Sequence, residues 1–233
     1  MNKDIKIMIE LQRYWGNILQ ADAEIDRCNK NITLWEKELT DKNGVLLKLN
    51  EEIKLLKNSI KQNELDLTEI DNRIKKLEER RLILKTEREV EALNHELEKF
   101  KTEGGDIEEI LIGLMDDLDS KSDDSSNKQN ELDEMNVQVE SDIEKIKSKI
   151  TGFQKDISDN QSRYDEMLPA LSNVVKSRFE KMLKSKGGKG IGEVNGEICG
   201  SCNFQIPSSL AAEASHDDKL VVCSNCGRYI YKN

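Results

Sequence analysis

The stretch Leu46-Leu-Lys-Leu-Asn-Glu-Glu-Ile53-Lys-Leu-Leu-Lys-Asn-Ser-Ile60 places a branched apolar residue at every seventh position. A period of seven marks a helix whose apolar seam faces another helix. Followed outward, the seam takes in Leu11, Ile18, Ile25, Ile32 and Leu39 on one side and Leu67 and Ile74 on the other, with no step missed. The companion positions three residues on are Tyr14, Ala21, Cys28, Trp35, Lys42, Leu49, Leu56, Asn63, Ile70, Leu77 and Leu84, mostly apolar as a coiled coil requires. Asn63 on this seam is expected to fix the register. Cys28, with no second thiol near it in sequence, reads as a small apolar filler.

After Leu84 the phase is lost. The pattern resumes at Val90, Leu93, Leu97, Phe100, Ile107, Leu111, Leu114 and Leu118, and runs on through Leu132, Met135, Val139, Ile143, Ile146, Ile150, Phe153, Ile157, Tyr164 and Leu171. A slip of two residues matches neither a three- nor a four-residue insertion, so we place a tight hairpin turn near residues 85–90. A turn at Gly104-Gly105 is the rival, because glycine permits it directly, and a parallel dimer of unbroken helices is a second alternative. The polar stretch Ser120 to Asn130 is expected to loosen the second helix. The fold expected is all-α, a long antiparallel coiled-coil hairpin over residues 1–175, followed by a basic neck at 176–192 and a small C-terminal β zinc ribbon at 193–233.

Composition agrees with such an architecture. Of 233 residues, 36% are hydrophobic, 35% charged and 4% aromatic, with two prolines, which is poor material for a large globular core. The sequence holds no apolar run of membrane-spanning length, and Met1-Asn-Lys-Asp-Ile-Lys6 lacks the apolar core of a signal peptide, so a cytoplasmic chain without a membrane span is expected. A net charge of −10 argues against coating nucleic acid along the whole length. The charge is unevenly placed: Lys176, Arg178, Lys181, Lys184, Lys186 and Lys189 face one acidic residue, Glu180, whereas Asp116, Asp117, Asp119, Asp123 and Asp124 face Lys121.

Cys199-Gly-Ser-Cys202 and Cys223-Ser-Asn-Cys226 are separated by twenty residues, a C-x2-C-x20-C-x2-C pattern suited to one structural Zn2+. Gly200 and Gly227 are expected to relieve the tight backbone of each knuckle. Short strands are expected at Val194 to Ile198, Asn203 to Ile206, Leu220 to Val222 and Tyr229 to Tyr231, with a Ser-capped helical turn over Pro207 to Glu213. With so few apolar residues this lobe should fold only around its metal. A rubredoxin-like iron centre and a pair of disulfides use the same cysteines and are the competing readings. A catalytic zinc is disfavoured, since four thiolates leave no position for water. His95 and His216 read as surface residues, and no G-x-S-x-G, Walker or Rossmann motif occurs, so a non-enzyme is expected.

Arg88-Glu-Val-Glu-Ala-Leu-Asn-His-Glu-Leu97, Gly196-Glu-Ile-Cys-Gly-Ser-Cys202 and Leu220-Val-Val-Cys-Ser-Asn-Cys-Gly-Arg-Tyr-Ile-Tyr231, with Ile206-Pro-Ser-Ser-Leu210 and Lys186-Gly-Gly188, resemble the FlgZ/CdsZ family of bacterial coiled-coil proteins with a C4-type zinc ribbon. The resemblance implies a helical hairpin plus ribbon, and flagellar and type III secretion-associated roles through the nitrogen-type sigma factor RpoN, flagellar messenger RNA and secretion components. Two functions therefore stand side by side. One is an adaptor or chaperone holding protein partners, with Tyr14, Trp15 and Trp35 as contact positions and the hairpin tip, Glu87, Arg88 and Glu89, as a further one. The other is RNA or DNA binding through Lys181, Lys184, Lys186, Lys189 and Arg228, with Phe204, Tyr229 and Tyr231 as stacking surfaces. An acidic tip with Glu87, Glu89 and Glu91 entering a channel of RNA polymerase is a third idea. A monomer and a homodimer are both compatible with the seam.

Overall fold

The computed structural model describes residues 2–216 and 218–232. Two helices dominate it, α1 (Lys3–Arg81) of 79 residues and α2 (Glu87–Met167) of 81. Every apolar seam residue of both is buried or half-buried, and of the companion positions only Lys42 is exposed. The chain divides into two compact units, residues 1–33 with 142–233, and residues 34–141.

In the unit of residues 34–141, Ser125 Oγ donates to Asn50 Oδ1 at 2.7 Å, Lys121 pairs with Glu52, Arg73 lies 5.7 Å from the Phe100 ring centroid and Lys101 reaches Glu78 at 3.7 Å. Residues 50 and 52 of α1 meet 125 and 121 of α2, whereas 73 and 78 meet 100 and 101, so the helices are antiparallel and form a coiled-coil hairpin. That pairing removes the parallel dimer of unbroken helices. The turn occupies residues 82–86, a few positions before the expected 85–90. The reason lies at Thr86, which precedes the helix in a T-x-x-E sequence: the Thr86 hydroxyl donates to the Glu89 carboxylate, and the Thr86 carbonyl accepts from Val90 N at 3.2 Å, so α2 already begins at Glu87. Gly104-Gly105 lies inside α2, as does Ser120 to Asn130, which stays helical instead of loosening. Asn63 does not act as a register pin. Its Nδ2 donates to the Ser59 carbonyl one turn back at 2.9 Å, so its amide is satisfied within its own helix.

In the other unit Pro169 breaks the second arm, because proline has no N–H to donate and constrains the residue before it. A 3-10 turn over Leu168–Ala170 leads into α3 (Asn173–Ser185). The start of α1, the end of α2 and α3 enclose one core of Ile5, Met8, Leu11, Tyr164, Leu168, Leu171, Val175, Phe179 and Leu183, to which the ribbon adds Ile191 and Tyr229. The ribbon comprises β1 (Ile191–Asn195), β2 (Ile198–Cys199), a short helix α4 (Ser208–Glu213), β3 (Val221–Val222) and β4 (Tyr229–Tyr231). Sheet order is β2-β1-β4-β3, with β1 parallel to β4 and both outer pairs antiparallel.

Four expectations shift here. The first strand begins at Ile191, inside the stretch read as neck, because Ile191 pairs with Tyr229 at the start of the parallel ladder. Asn203 to Ile206 contributes only the bridge between Ile198 and Gln205. Leu220 stays outside β3. Pro207, not a serine, occupies the N-cap of α4, and no side chain caps that helix.

Candidate metal centre

Two knuckles of like geometry hold the four cysteines. In the first, Asn203 N donates to Cys199 O at 2.8 Å; in the second, Gly227 N donates to Cys223 O at 2.9 Å. The residue after each second cysteine is left-handed, φ 56° at Asn203 and 73° at Gly227. Gly227 therefore has the conformational role assigned to it, whereas Gly200 does not. Gly200 is needed for space: a Cβ there would sit 2.5 Å from the Glu193 carbonyl, to which its own N–H donates at 2.8 Å. The left-handed position of the first knuckle belongs to Asn203, a residue type that tolerates it.

The four Sγ atoms lie within 4.8 Å of one another, and Cys202 Sγ is 3.9 Å from Cys223 Sγ. A tetrahedral zinc with Zn–S of 2.3 Å separates its sulfurs by about 3.8 Å. A disulfide requires about 2.05 Å, and all five cysteines are free thiols. The donor set therefore fits one zinc ion, held by Cys199, Cys202, Cys223 and Cys226. Bound there, zinc would supply a crosslink between knuckles at opposite ends of a short sheet. Asn225 Nδ2 points at Cys202 Sγ from 3.8 Å, a weak donor to a sulfur that carries negative charge when ligated.

Electrostatics separate the thiols. Burial pushes Cys199 up to about 12 and also raises Cys223. At Cys202 the burial penalty is outweighed by the Phe204 amide and the Asn225 side chain, which bring the thiol down to about 7. His95 and His216 are exposed, and among the described residues neither joins the cysteine cluster.

The neck is fixed to the ribbon by Arg228. Its side chain is buried, with 8% exposure. Nε donates to Lys189 O at 2.8 Å, one terminal nitrogen to Lys186 O at 2.9 Å and the other to Ser201 O at 3.3 Å. Arg228 is thus a structural clamp, and it leaves the nucleic-acid set proposed from sequence. Gln12 performs a matching task from α1, its Oε1 accepting from Gly190 N at 2.7 Å and Ile191 N at 3.0 Å. Gly190 must be glycine, since a Cβ would lie 2.6 Å from the Phe179 ring. Neither clamp is legible in the sequence, where Gln12 looks like an ordinary polar surface residue and Arg228 like a phosphate contact.

Of the other residues singled out from sequence, Lys181, Lys184, Lys186 and Lys189 are exposed, and among the described residues none of them has an ion-pair partner. Tyr229 is buried, Tyr231 is half-buried and Phe204 is exposed, which leaves Phe204 as the one open stacking surface of the three. Tyr14 and Trp15 pack on the core, with the Trp15 ring 5.7 Å from that of Tyr164, so they serve folding first. Trp35 is half-buried and belongs to the unit of residues 34–141, apart from Tyr14 and Trp15. Glu87, Arg88 and Glu89 form the first turn of α2 and are exposed, with Glu89 held by Thr86.

Fold and donor set together define a coiled-coil hairpin protein that carries a tetrathiolate zinc ribbon. Residues 20–187 match the CT398-like coiled coil hairpin domain and residues 198–230 the C4-type zinc ribbon domain, and the chain belongs to the CT398-like coiled-coil hairpin family. Among solved structures, CT398 from Chlamydia trachomatis is similar with a TM-score of 0.88 at 20% identity, over 98% of this chain and 97% of that one. The HP0958 protein from Helicobacter pylori is similar with a TM-score of 0.62 at 19% identity, over 100% and 98% of the two chains. A Mycobacterium smegmatis protein is similar with a TM-score of 0.60 at 20% identity over the full length of both. At these identities the likeness concerns the fold. No described helix is long and apolar enough to cross a membrane.

Proposed function

We propose that the chain is a non-enzymatic adaptor or chaperone of the cytoplasm that works by holding protein partners. The observation that carries this reading is the chemistry of the metal centre. Four thiolates fill a tetrahedron and leave no position at which a substrate or water could be activated, so the metal's task is to shape a small head. The coiled-coil hairpin leaves long stretches of side chain in solvent, a surface suited to contacts with other chains. By the resemblance to flagellar and secretion-associated proteins, the partners to try first are the sigma factor RpoN and components of flagellar biogenesis or type III secretion. The test is crosslinking of the tagged full-length chain in its own cells, with mass spectrometric identification of what is joined to it. A specific protein recovered at the level of the bait is expected; recovery of none would end this reading.

RNA or DNA binding through the neck is the second reading, favoured by four exposed lysines, Lys181, Lys184, Lys186 and Lys189, within nine consecutive residues. Such binding must weaken steeply as salt rises and be lost on reversing these lysines to glutamate. Salt-insensitive binding, or binding that survives the reversal, would contradict it.

A further inference from the structure

We infer that Cys202 and Cys226 are an oxidation site, at which hydrogen peroxide joins the two sulfurs and thereby releases the neck from the ribbon. This goes beyond the adaptor reading and rests on the four-cysteine centre. The centre is unevenly covered: Cys199 and Cys223 are 0% and 1% exposed, whereas Cys202 and Cys226 are half-buried. Each knuckle hides its first sulfur and shows its second. An oxidant acts on a thiolate that solvent can reach, so the exposed pair, one sulfur from each knuckle, meets it first.

Backbone bonds set the same order. Cys199 N donates to Phe204 O at 3.0 Å and Cys199 O accepts from Asn203 N at 2.8 Å; Cys223 N donates to Arg228 O at 2.8 Å and Cys223 O accepts from Gly227 N at 2.9 Å. The first cysteine of each knuckle is thus tied at both its amide and its carbonyl. Cys202 and Cys226 lie in the turns that follow. All four sulfurs are within 4.8 Å of one another, so bringing this pair to the disulfide length of about 2.05 Å takes a movement of under about 3 Å. Cys223 is 3.9 Å from Cys202, but its burial and its two backbone bonds make it the poorer partner.

The chemistry balances with one peroxide. One thiolate attacks a peroxide oxygen, the O–O bond breaks, and the departing hydroxide takes a proton to become water, leaving a sulfenic acid. The second thiolate attacks that sulfur: the S–S bond forms, the S–O bond breaks, and the hydroxide leaves with a second proton as a second water. The two sulfurs are oxidised and the two peroxide oxygens reduced. The disulfide withdraws two of the four ligands, and two thiolates do not complete a tetrahedral zinc site.

Arg228 carries the change outward. It follows Cys226 by two residues, and its carbonyl accepts from Cys223 N. Its guanidinium holds the carbonyl of Ser201, the neighbour of Cys202, together with those of Lys186 and Lys189. The clamp therefore touches both knuckles. Drawing Cys202 and Cys226 together without the metal shifts both, and the neck loses the donor that fixes it.

The test treats the full-length, zinc-loaded chain with hydrogen peroxide in stoichiometric steps. Three signals are read: disulfides by peptide mass spectrometry, freed zinc by a chromogenic chelator, and cleavage after Lys186 and Lys189 by a lysine-directed protease. The expected result is a first disulfide between Cys202 and Cys226, one zinc freed per disulfide, and Cys199 and Cys223 still open to alkylation after denaturation. Cleavage at the two neck lysines should be about tenfold faster, as when a set of buried hydrogen bonds is lost, and cleavage within residues 34–141 unchanged. Reduction with added zinc should restore the slow cleavage. A first disulfide that includes Cys199, Cys223 or Cys28, oxidation to sulfinic acid without a disulfide, a disulfide that leaves the zinc bound, or a neck cleaved no faster once the bond has formed would overturn the proposal. The adaptor reading fails on its crosslinking test alone, so the two failures are distinct.

Discussion

The two units are held together in opposite ways. In residues 34–141 the buried side chains are single seam residues such as Leu46, Ile53, Ile70, Leu93, Leu97, Leu132 and Val139, spaced along a two-helix layer. Its ion pairs are exposed, where each contributes little. In residues 1–33 with 142–233 a contiguous core with Phe179, Met8, Leu11, Leu183 and Ile191 wholly buried is joined to a metal site and two polar clamps. Stability in the first is spread over many small, local contacts. In the second it is concentrated, so single changes there should cost most.

Metal removal is the sharpest way to break the contrast. A structural zinc contributes about 10–16 kcal/mol of apparent binding free energy in small zinc-binding peptides. Chelation, or Cys223→Ser, should therefore abolish hydrogen-exchange protection in β1, β3 and β4 while leaving the amides of residues 34–141 protected. Loss of protection in both units would show that they do not differ as described.

Next in size is Phe179→Ala, which empties a fully buried site against Gly190 and should destabilise the ribbon-bearing unit by about 3–5 kcal/mol in denaturant titrations. Arg228→Gln leaves the carbonyls of Lys186, Lys189 and Ser201 without their donor and should cost about 1–3 kcal/mol. Its specific sign is faster cleavage after Lys186 and Lys189 by a lysine-directed protease, with helix content unchanged.

Stabilising changes belong to the coil. Gly105 has open space around its Cβ position, and a Cβ on Gly104 would rest 3.5 Å from Ile70, ordinary contact. Alanine at either position should raise coil stability by up to about 1 kcal/mol through helix propensity, seen as a higher melting temperature of the full chain.

The smallest effect expected is alkaline. Burial, with the nearby charges of Glu180 and Asp165 adding to it, lifts the Tyr164 phenol from 10.0 to about 12. A raised phenol binds its proton more tightly in the folded chain than in the unfolded one. Its contribution is therefore whole below pH 10 and is lost as pH climbs through 12. Tyr164→Phe should flatten the decline of melting temperature over that window; an unchanged decline would assign it to other groups.

The legible parts of the molecule are those written in local periodicity or fixed spacing. Leu11 to Ile74 spell out α1 because a seam of period seven has one helical solution, and the cysteine spacing names the metal site before any fold is known. The turn at residues 82–86 was obscured by following the seam alone, although Thr86-Glu-Arg-Glu89 carries a capping signature that sets the start of α2. Asn203 was missed in favour of Gly200 because glycine is the commoner left-handed residue, while the need at Gly200 arises from β1 packing across it. The clamps at Gln12 and Arg228 depend on carbonyls and amides brought together from distant segments, and no local pattern encodes such a meeting.

The claim on which the rest stands is that Cys199, Cys202, Cys223 and Cys226 close around one zinc ion and so shape the ribbon. X-ray absorption at the zinc edge, with metal analysis of the purified full-length chain, measures this directly. The account predicts one zinc per chain and four sulfur neighbours at about 2.3 Å, with no nitrogen or oxygen in the coordination shell. Iron in place of zinc, a shell containing water or nitrogen, or metal-free chain with oxidised cysteines and an intact ribbon would contradict it.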